Sequence, residues 1–139
     1  PAPLQAAQKA GVLGFGQASD QVRFAPKAQL TATIDNWSPY YIDKVQAVMD
    51  GTWKSGDYFG HMNEDVVQMA PFTNMPAEVE VFAQKIKDGI TEGKYFAFTG
   101  PIKDNTGKLQ LKDGEIASDG HLNSMMYYVE GIDATVPGS

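Results

Sequence analysis

Asp20 and Asp35 are the carboxylates whose positions most suggest joint chemistry. Each stands in a polar loop, "GQASDQ" (residues 16–21) or "DNWSPYY" (35–41), directly after an apolar, strand-like run. A carboxylate pair does acid–base work when a neighbouring group drives the two pKa values apart. No such group accompanies this pair in sequence. His61 and His121 are the only histidines, and neither has a second histidine at metal-ligand spacing, so both read as surface or hairpin side chains. Glu64 and Asp65 fall in an expected turn, where solvated charge is the ordinary reading. Gly14, Gly16 and Ser19 make a degenerate G-x-G-x-x-S, but the residues that follow promise a polar loop and a strand rather than the helix a dinucleotide site needs. No serine lies in a nucleophile elbow. Polar ligand binding, without catalysis, metal or cofactor, is the chemistry these residues support.

The loops depend on the elements that carry them. "PLQAAQKAG" places Leu4 and Ala7 at helical spacing and stops at Gly11. "GVLGF" (11–15) is a short apolar run suited to a covered strand, and "AQLTATI" (28–34) alternates like a second. "SPYYIDKVQAVMDG" predicts a helix capped by Ser38, with Pro39 in its first turn, Tyr41, Val45 and Val48 on one face, and Gly51 at its end. "YFGHM" and "VVQMAP" predict a hairpin through "NED". A further helix begins near 74–76, directs Val79, Phe82, Ala83, Ile86 and Ile90 toward a core, and closes at Gly93. From residue 95 an extended segment leads into a hairpin turning at Asn105–Gly107. An amphipathic stretch, "HLNSMMYYVEGI", and a Pro-Gly tail follow.

Helix alternating with buried strand predicts an α/β fold with a mainly parallel sheet flanked by helices and a C-terminal hairpin extension. Such sheets bind ligands beyond the carboxyl ends of their strands. That rule singles out Gln17, Ser19 and Asp20 after the first strand, and Asp35, Asn36, Trp37 and Ser38 after the second. Trp37, a large aromatic in a polar loop, is either a lid on the core or a stacking surface for a flat ligand.

The chain has 139 residues, 42% of them hydrophobic and 20% charged, as expected of one globular domain or lobe. A net charge of −6 with eleven scattered Lys and Arg argues against nucleic acid or an acidic membrane surface as a partner. No apolar run nears the roughly 20 residues of a membrane-spanning helix. The absence of cysteine excludes disulfides, thiolate metal sites and a cysteine nucleophile.

"GFGQASDQVRFAPKAQLTATIDNWSPYYIDKVQAVMDGTWKS", "MAPFTNMP", "FTGPIKDNTGKLQLKDGEI" and "MMYYVEG" together resemble the C-terminal part of the BMP, or basic membrane protein, family of ABC-transporter substrate-binding proteins. The resemblance runs along nearly the whole chain, with its motifs in order. It implies a lobe of the type I periplasmic-binding-protein fold, with residues 1–139 forming the C-terminal part of a two-lobed protein. It also implies export to the periplasm or cell surface, a lipid anchor on a preceding N-terminal part, a membrane permease as partner, and capture of a purine base or nucleoside in an interlobe cleft. A missing N-terminal lobe, or a second copy of the chain, is expected to complete the cleft. The same fold also serves as a ligand-sensing module in signalling or regulation, which is the alternative expectation.

Departures from the family pattern sharpen the ligand. Where many members read G-V-D-x-D-Q, with the first Asp on the ribose hydroxyls, this chain has Ala18 while keeping Asp20 and Gln21. Where many have an Asp before the helix, it has Ser38, with Trp37 one before. A lysine of G-L-K-D-G is matched by Asn63. Three charged positions are thus neutral, and the resemblance implies a site for a flat, neutral, hydrogen-bonding ligand such as adenine.

Overall fold

The computed structural model describes residues 1–136; the expected Pro-Gly tail, at 137 and 138, lies outside them. The chain divides into two compact units, Pro1–Lys94 and the residues from Tyr95 onward.

In the first unit, helix α1 (Ala2–Ala10) ends at Gly11, whose φ of 70° is a left-handed conformation that glycine adopts without a Cβ clash. Leu4 is its buried residue and packs with Ala25 and Ala28. Strand β1 (Gly14–Gly16) pairs in parallel with β2 (Gln29–Asp35), Gly14 opposite Gln29 and Gly16 opposite Ala32. The glycines here serve packing: a Cβ on Gly16 would lie 2.7 Å from the Ala32 Cβ, and one on Gly14 would lie 3.0 Å from Leu4 Cδ2. Close approach of strand to strand and of helix to strand accounts for the G-x-G without any phosphate. Strand β3 (Val67–Met69) pairs antiparallel with β2, Asp35 opposite Val67 and Thr33 opposite Met69. The order is β1-β2-β3, so this sheet is mixed rather than mainly parallel.

The expected hairpin between "YFGHM" and "VVQMAP" does not form. Only the second segment is a strand, and it pairs with β2. Ahead of it Met62–Glu64 make a single 3₁₀ turn, closed when the Glu64 carboxylate accepts from His61 N–H at 3.0 Å. Asp65 then reverses the chain at a φ of 60°. These local bonds take the polar groups a hairpin would have used.

Helix α2 (Ser38–Met49) has Pro39 in its first turn, and Gly51 follows it at a φ of 66°. Ser38 is its first helical residue rather than its cap. Trp37 holds the capping position without a side-chain bond, while Asn36 Oδ1 accepts from Ser38 N–H at 3.4 Å. Helix α3 (Ala77–Thr91) follows Pro76, with Gly93 beyond its end at a φ of 67°. Of the α3 residues expected to face a core, Ala83, Ile86 and Ile90 are half-buried, whereas Val79 and Phe82 are exposed; on α2 the shared face of Tyr41, Val45 and Val48 is exposed too.

In the second unit, β4 (Ile102–Lys103) and β5 (Leu109–Leu111) form the expected antiparallel hairpin. Asp104 organises its turn, accepting from Thr106 Oγ1 at 2.6 Å, Gln110 Nε2 at 2.7 Å, Thr106 N–H at 2.9 Å and Lys108 N–H at 3.0 Å. The amphipathic stretch contributes only the end of a five-residue helix, α4 (Asp119–Asn123), capped by Ser118 Oγ on His121 N–H. Beyond it Val129 bridges back to Asp104.

Candidate functional site

Three loops meet at one end of the three-stranded sheet. Because β1 and β2 run in parallel, residues 17–21 and 36–37 leave from the same end. The antiparallel β3 begins at that end, which brings in residues 62–66. Backbone bonds join the loops: Asp35 N–H donates to Ala18 O at 3.3 Å, and Asn36 N–H donates to Val66 O at 2.7 Å. This is the position at which an α/β sheet presents its loops to a ligand.

The first loop is built on Gln29, a glutamine 1% exposed at the start of β2. Its Oε1 accepts from Gln21 N–H at 3.0 Å, and its Nε2 donates to Asp20 Oδ1 at 2.8 Å. The same oxygen of Asp20 accepts from Val22 N–H at 3.0 Å. The Gln29 amide first, and the Val22 N–H second, hold the Asp20 carboxyl below its ordinary value. Gln21 Nε2 donates to Gln17 O at 3.0 Å. Between them Ala18 sits at a φ of 64°, a conformation unfavourable for a residue with a Cβ and concentrated at sites where the surroundings enforce it.

The second loop is tied to the third by Asn36, whose Nδ2 donates to Asp65 O at 3.0 Å and to Asp65 Oδ2 at 3.2 Å. Asp20 is therefore committed to fixing the first loop onto β2, and Asn36 to joining the second loop to the third. Gln17, Ser19, Asp35, Ser38 and Asn63 are exposed, and among the described residues their side chains make no hydrogen bond. Asp35 and Asp20 are not linked through their carboxylates, so no proton-sharing pair is assembled.

Trp37 is 43% exposed and belongs to an aromatic cluster. Its ring meets Tyr40 at 5.7 Å and 80°, and Tyr40 lies 4.7 Å from Tyr58 at 35°. Lys44 Nζ is 5.0 Å from the Tyr40 ring. Loss of hydration, followed by the nearby Glu64 and Asp43 carboxylates, keeps the Tyr58 phenol above its ordinary value. Sequence reasoning placed Tyr58 in a strand and missed this cluster. The available signal was the density of aromatics in "WSPYY" and "DYF". Gln29 was missed too, although a glutamine at an inward position of an alternating strand is itself a sign of a buried polar partner.

Three cavities of this unit lie away from the first two loops. Two apolar ones of about 230 and 330 Å³ sit between α3 and the sheet and share Phe15, Thr31, Phe72 and Ala83. A third, of about 320 Å³, is lined by Met62, Asp65, Gln68 and Lys87 among others. None of the three is lined by residues 17–21 or 35–38. The two apolar cavities offer few polar groups to orient a ligand, whereas the loop end offers an open polar face beside an indole. Among the described residues no group of three or more His, Asp or Glu could hold a metal ion, and no helix is long and apolar enough to cross a membrane.

The chain matches no family model. It is 49% identical over 136 residues to a purine-binding protein of Brucella abortus, an alignment covering 98% of this chain and 39% of that relative. The chain thus spans well under half the length of the protein it matches. Among solved structures it is similar to a transcriptional activator of the comK gene from Bacillus halodurans, with a TM-score of 0.57, 20% identity, and coverage of 68% of this chain and 34% of the other. That likeness is one of fold.

Proposed function

We propose that this chain is the C-terminal part of a solute-binding protein that captures a purine base for import through an ABC permease. The observation that carries the reading is the 49% identity, across 98% of the chain, to a relative named for purine binding. The loop end of the sheet supports it. A purine is flat and carries donors and acceptors around its edge, so it needs an aromatic face and several uncommitted polar groups. Trp37 supplies the face. Gln17, Ser19, Asp35, Ser38 and Asn63 supply the polar groups. Ala18 offers no carboxylate for ribose hydroxyls, which favours adenine over adenosine.

The proposed protein is a two-lobed, type I binding protein at the periplasmic side or cell surface, anchored by lipid and working by cleft closure without turnover. The exposed apolar residues of β1, α2 and α3 fit this picture. Phe15 is 70% exposed and Ile42 68%, and such surface is suited to cover by further polypeptide or a second copy of the chain. The test is a thermal-shift screen of the full-length protein against nucleobases, nucleosides and sugars. Stabilisation by adenine and not by sugars is expected. Stabilisation by sugars alone contradicts the reading, and release of free base from nucleosides by the purified protein contradicts the absence of turnover.

A further inference from the structure

We propose that Tyr40 and Tyr58 are positioning residues that fix the stacking face of Trp37, so that the segment carrying Tyr58 governs ligand affinity without touching the ligand. The proposal rests on the purine reading above. Trp37 and Tyr40 stand three residues apart at the start of α2, the spacing that brings side chains together on one helix face. Their rings meet nearly at right angles, 80° apart with centroids at 5.7 Å. Two rings crossed in this way are not stacked on one another, and Trp37 stays 43% exposed, so the contact braces the indole while part of its surface is open to a ligand.

Tyr40 is itself half-buried and held from further directions. Tyr58 lies against it with centroids 4.7 Å apart and ring planes at 35°, and Lys44 Nζ approaches the ring to 5.0 Å. Tyr58 is seated in turn by Gly60, where an added Cβ would lie 2.9 Å from Tyr58 Cε1 and 2.8 Å from Val66 Cγ1. Val66 is buried, and its carbonyl accepts from Asn36 N–H at 2.7 Å. The segment bearing Tyr58 therefore reaches the Asn36–Trp37 junction twice, once through rings and once through the packing of Gly60 on Val66, whose carbonyl accepts from Asn36 N–H. An indole held in one rotamer before the ligand arrives loses less conformational freedom on binding, and this is where the affinity gain arises.

The test uses the full-length protein labelled with 5-fluorotryptophan, the Trp37 signal being assigned by its loss in Trp37→Phe. Adenine affinity is measured by calorimetry for the wild type, Trp37→Ala, Tyr40→Phe, Tyr40→Leu and Tyr58→Ala. Tyr40→Phe, which keeps the ring, is expected to stay within about twofold of the wild type. Tyr40→Leu and Tyr58→Ala are expected to weaken binding by about three- to tenfold, the range of an aromatic pair contact. Both should also shift or broaden the Trp37 fluorine signal before ligand is added. Binding that is lost in Trp37→Ala but unchanged in Tyr40→Leu and Tyr58→Ala overturns the positioning role alone. Weakened binding with an unmoved Trp37 signal also overturns it, because the effect then comes from direct contact or general destabilisation. Absence of adenine binding by the wild type overturns the purine reading, and this proposal with it.

Discussion

Gln29 and Asp20 are joined by a 2.8 Å hydrogen bond from a buried side-chain amide to a loop carboxylate. The same Gln29 side chain receives the Gln21 N–H at 3.0 Å. One glutamine thus shapes the whole turn after β1. Replacing it by Leu leaves a backbone donor and a carboxylate without their partner, at a cost of about 1–3 kcal/mol. Gln29→Leu should lower the urea midpoint with an unchanged slope, and an unaltered midpoint would show that the turn holds without it.

Ala18, at a φ of 64°, makes a second prediction. The left-handed conformation costs an L-residue about 1–2 kcal/mol, part of which glycine returns through its greater freedom when unfolded. Ala18→Gly is therefore expected to stabilise the fold by roughly 0.5–1 kcal/mol in equilibrium unfolding. Ala18→Asp should be tolerated by the backbone, since Asp adopts this region more readily than Ala.

Asp104 predicts a pH dependence in the hairpin unit. The Thr106 hydroxyl, and next the Gln110 amide, lower its carboxyl to about 2 from 3.8. A depressed carboxyl binds fewer protons folded than unfolded. Its stabilisation is thus present above pH 3.8 and is lost as the pH falls through about 2. Followed by NMR, the amide signals of Thr106 and Lys108 should hold their folded positions down to pH 4 and move toward unfolded values between pH 4 and pH 2. In Asp104→Asn that step should vanish, and its persistence would assign it to another group.

The exposed apolar face of α2, with Tyr41, Ile42, Val45 and Val48, predicts association. Residues 1–139 alone should sediment as a concentration-dependent mixture of monomer and larger species. A monodisperse monomer at high concentration would contradict the idea that this face is built to be covered.

Much of this architecture was legible in the sequence because local chemistry decided it. Gly11, Gly51 and Gly93 mark the ends of α1, α2 and α3, and the hairpin around residue 105 follows from "DNTG". Pairing was harder to read. "VVQMAP" contains a strand, but its partner is β2, with Asp35 opposite Val67, far back in the sequence, because the His61–Glu64 turn takes up the polar groups of the nearer segment. The helix faces misled for a related reason. Periodicity identifies a face that wants burial, and the described residues do not supply its cover. At the site, the loops themselves were readable from the strands that precede them. The division of labour within them was not, because it depends on contacts such as Asn36 with Asp65 and Asp20 with Gln29, in which polar residues of one type serve either structure or ligand.

In the proposed function the loop end of the sheet receives a purine base without its sugar. Calorimetry of the full-length wild-type protein with adenine and with adenosine decides it. A ribose carboxylate contact is worth about 1.5–3 kcal/mol, or roughly ten- to a hundredfold in affinity, and Ala18 provides none. Adenine should bind more tightly than adenosine, and Ala18→Asp should move the preference toward the nucleoside. Tighter binding of adenosine by the wild type, or no binding of either, would rule out a site built for the free base.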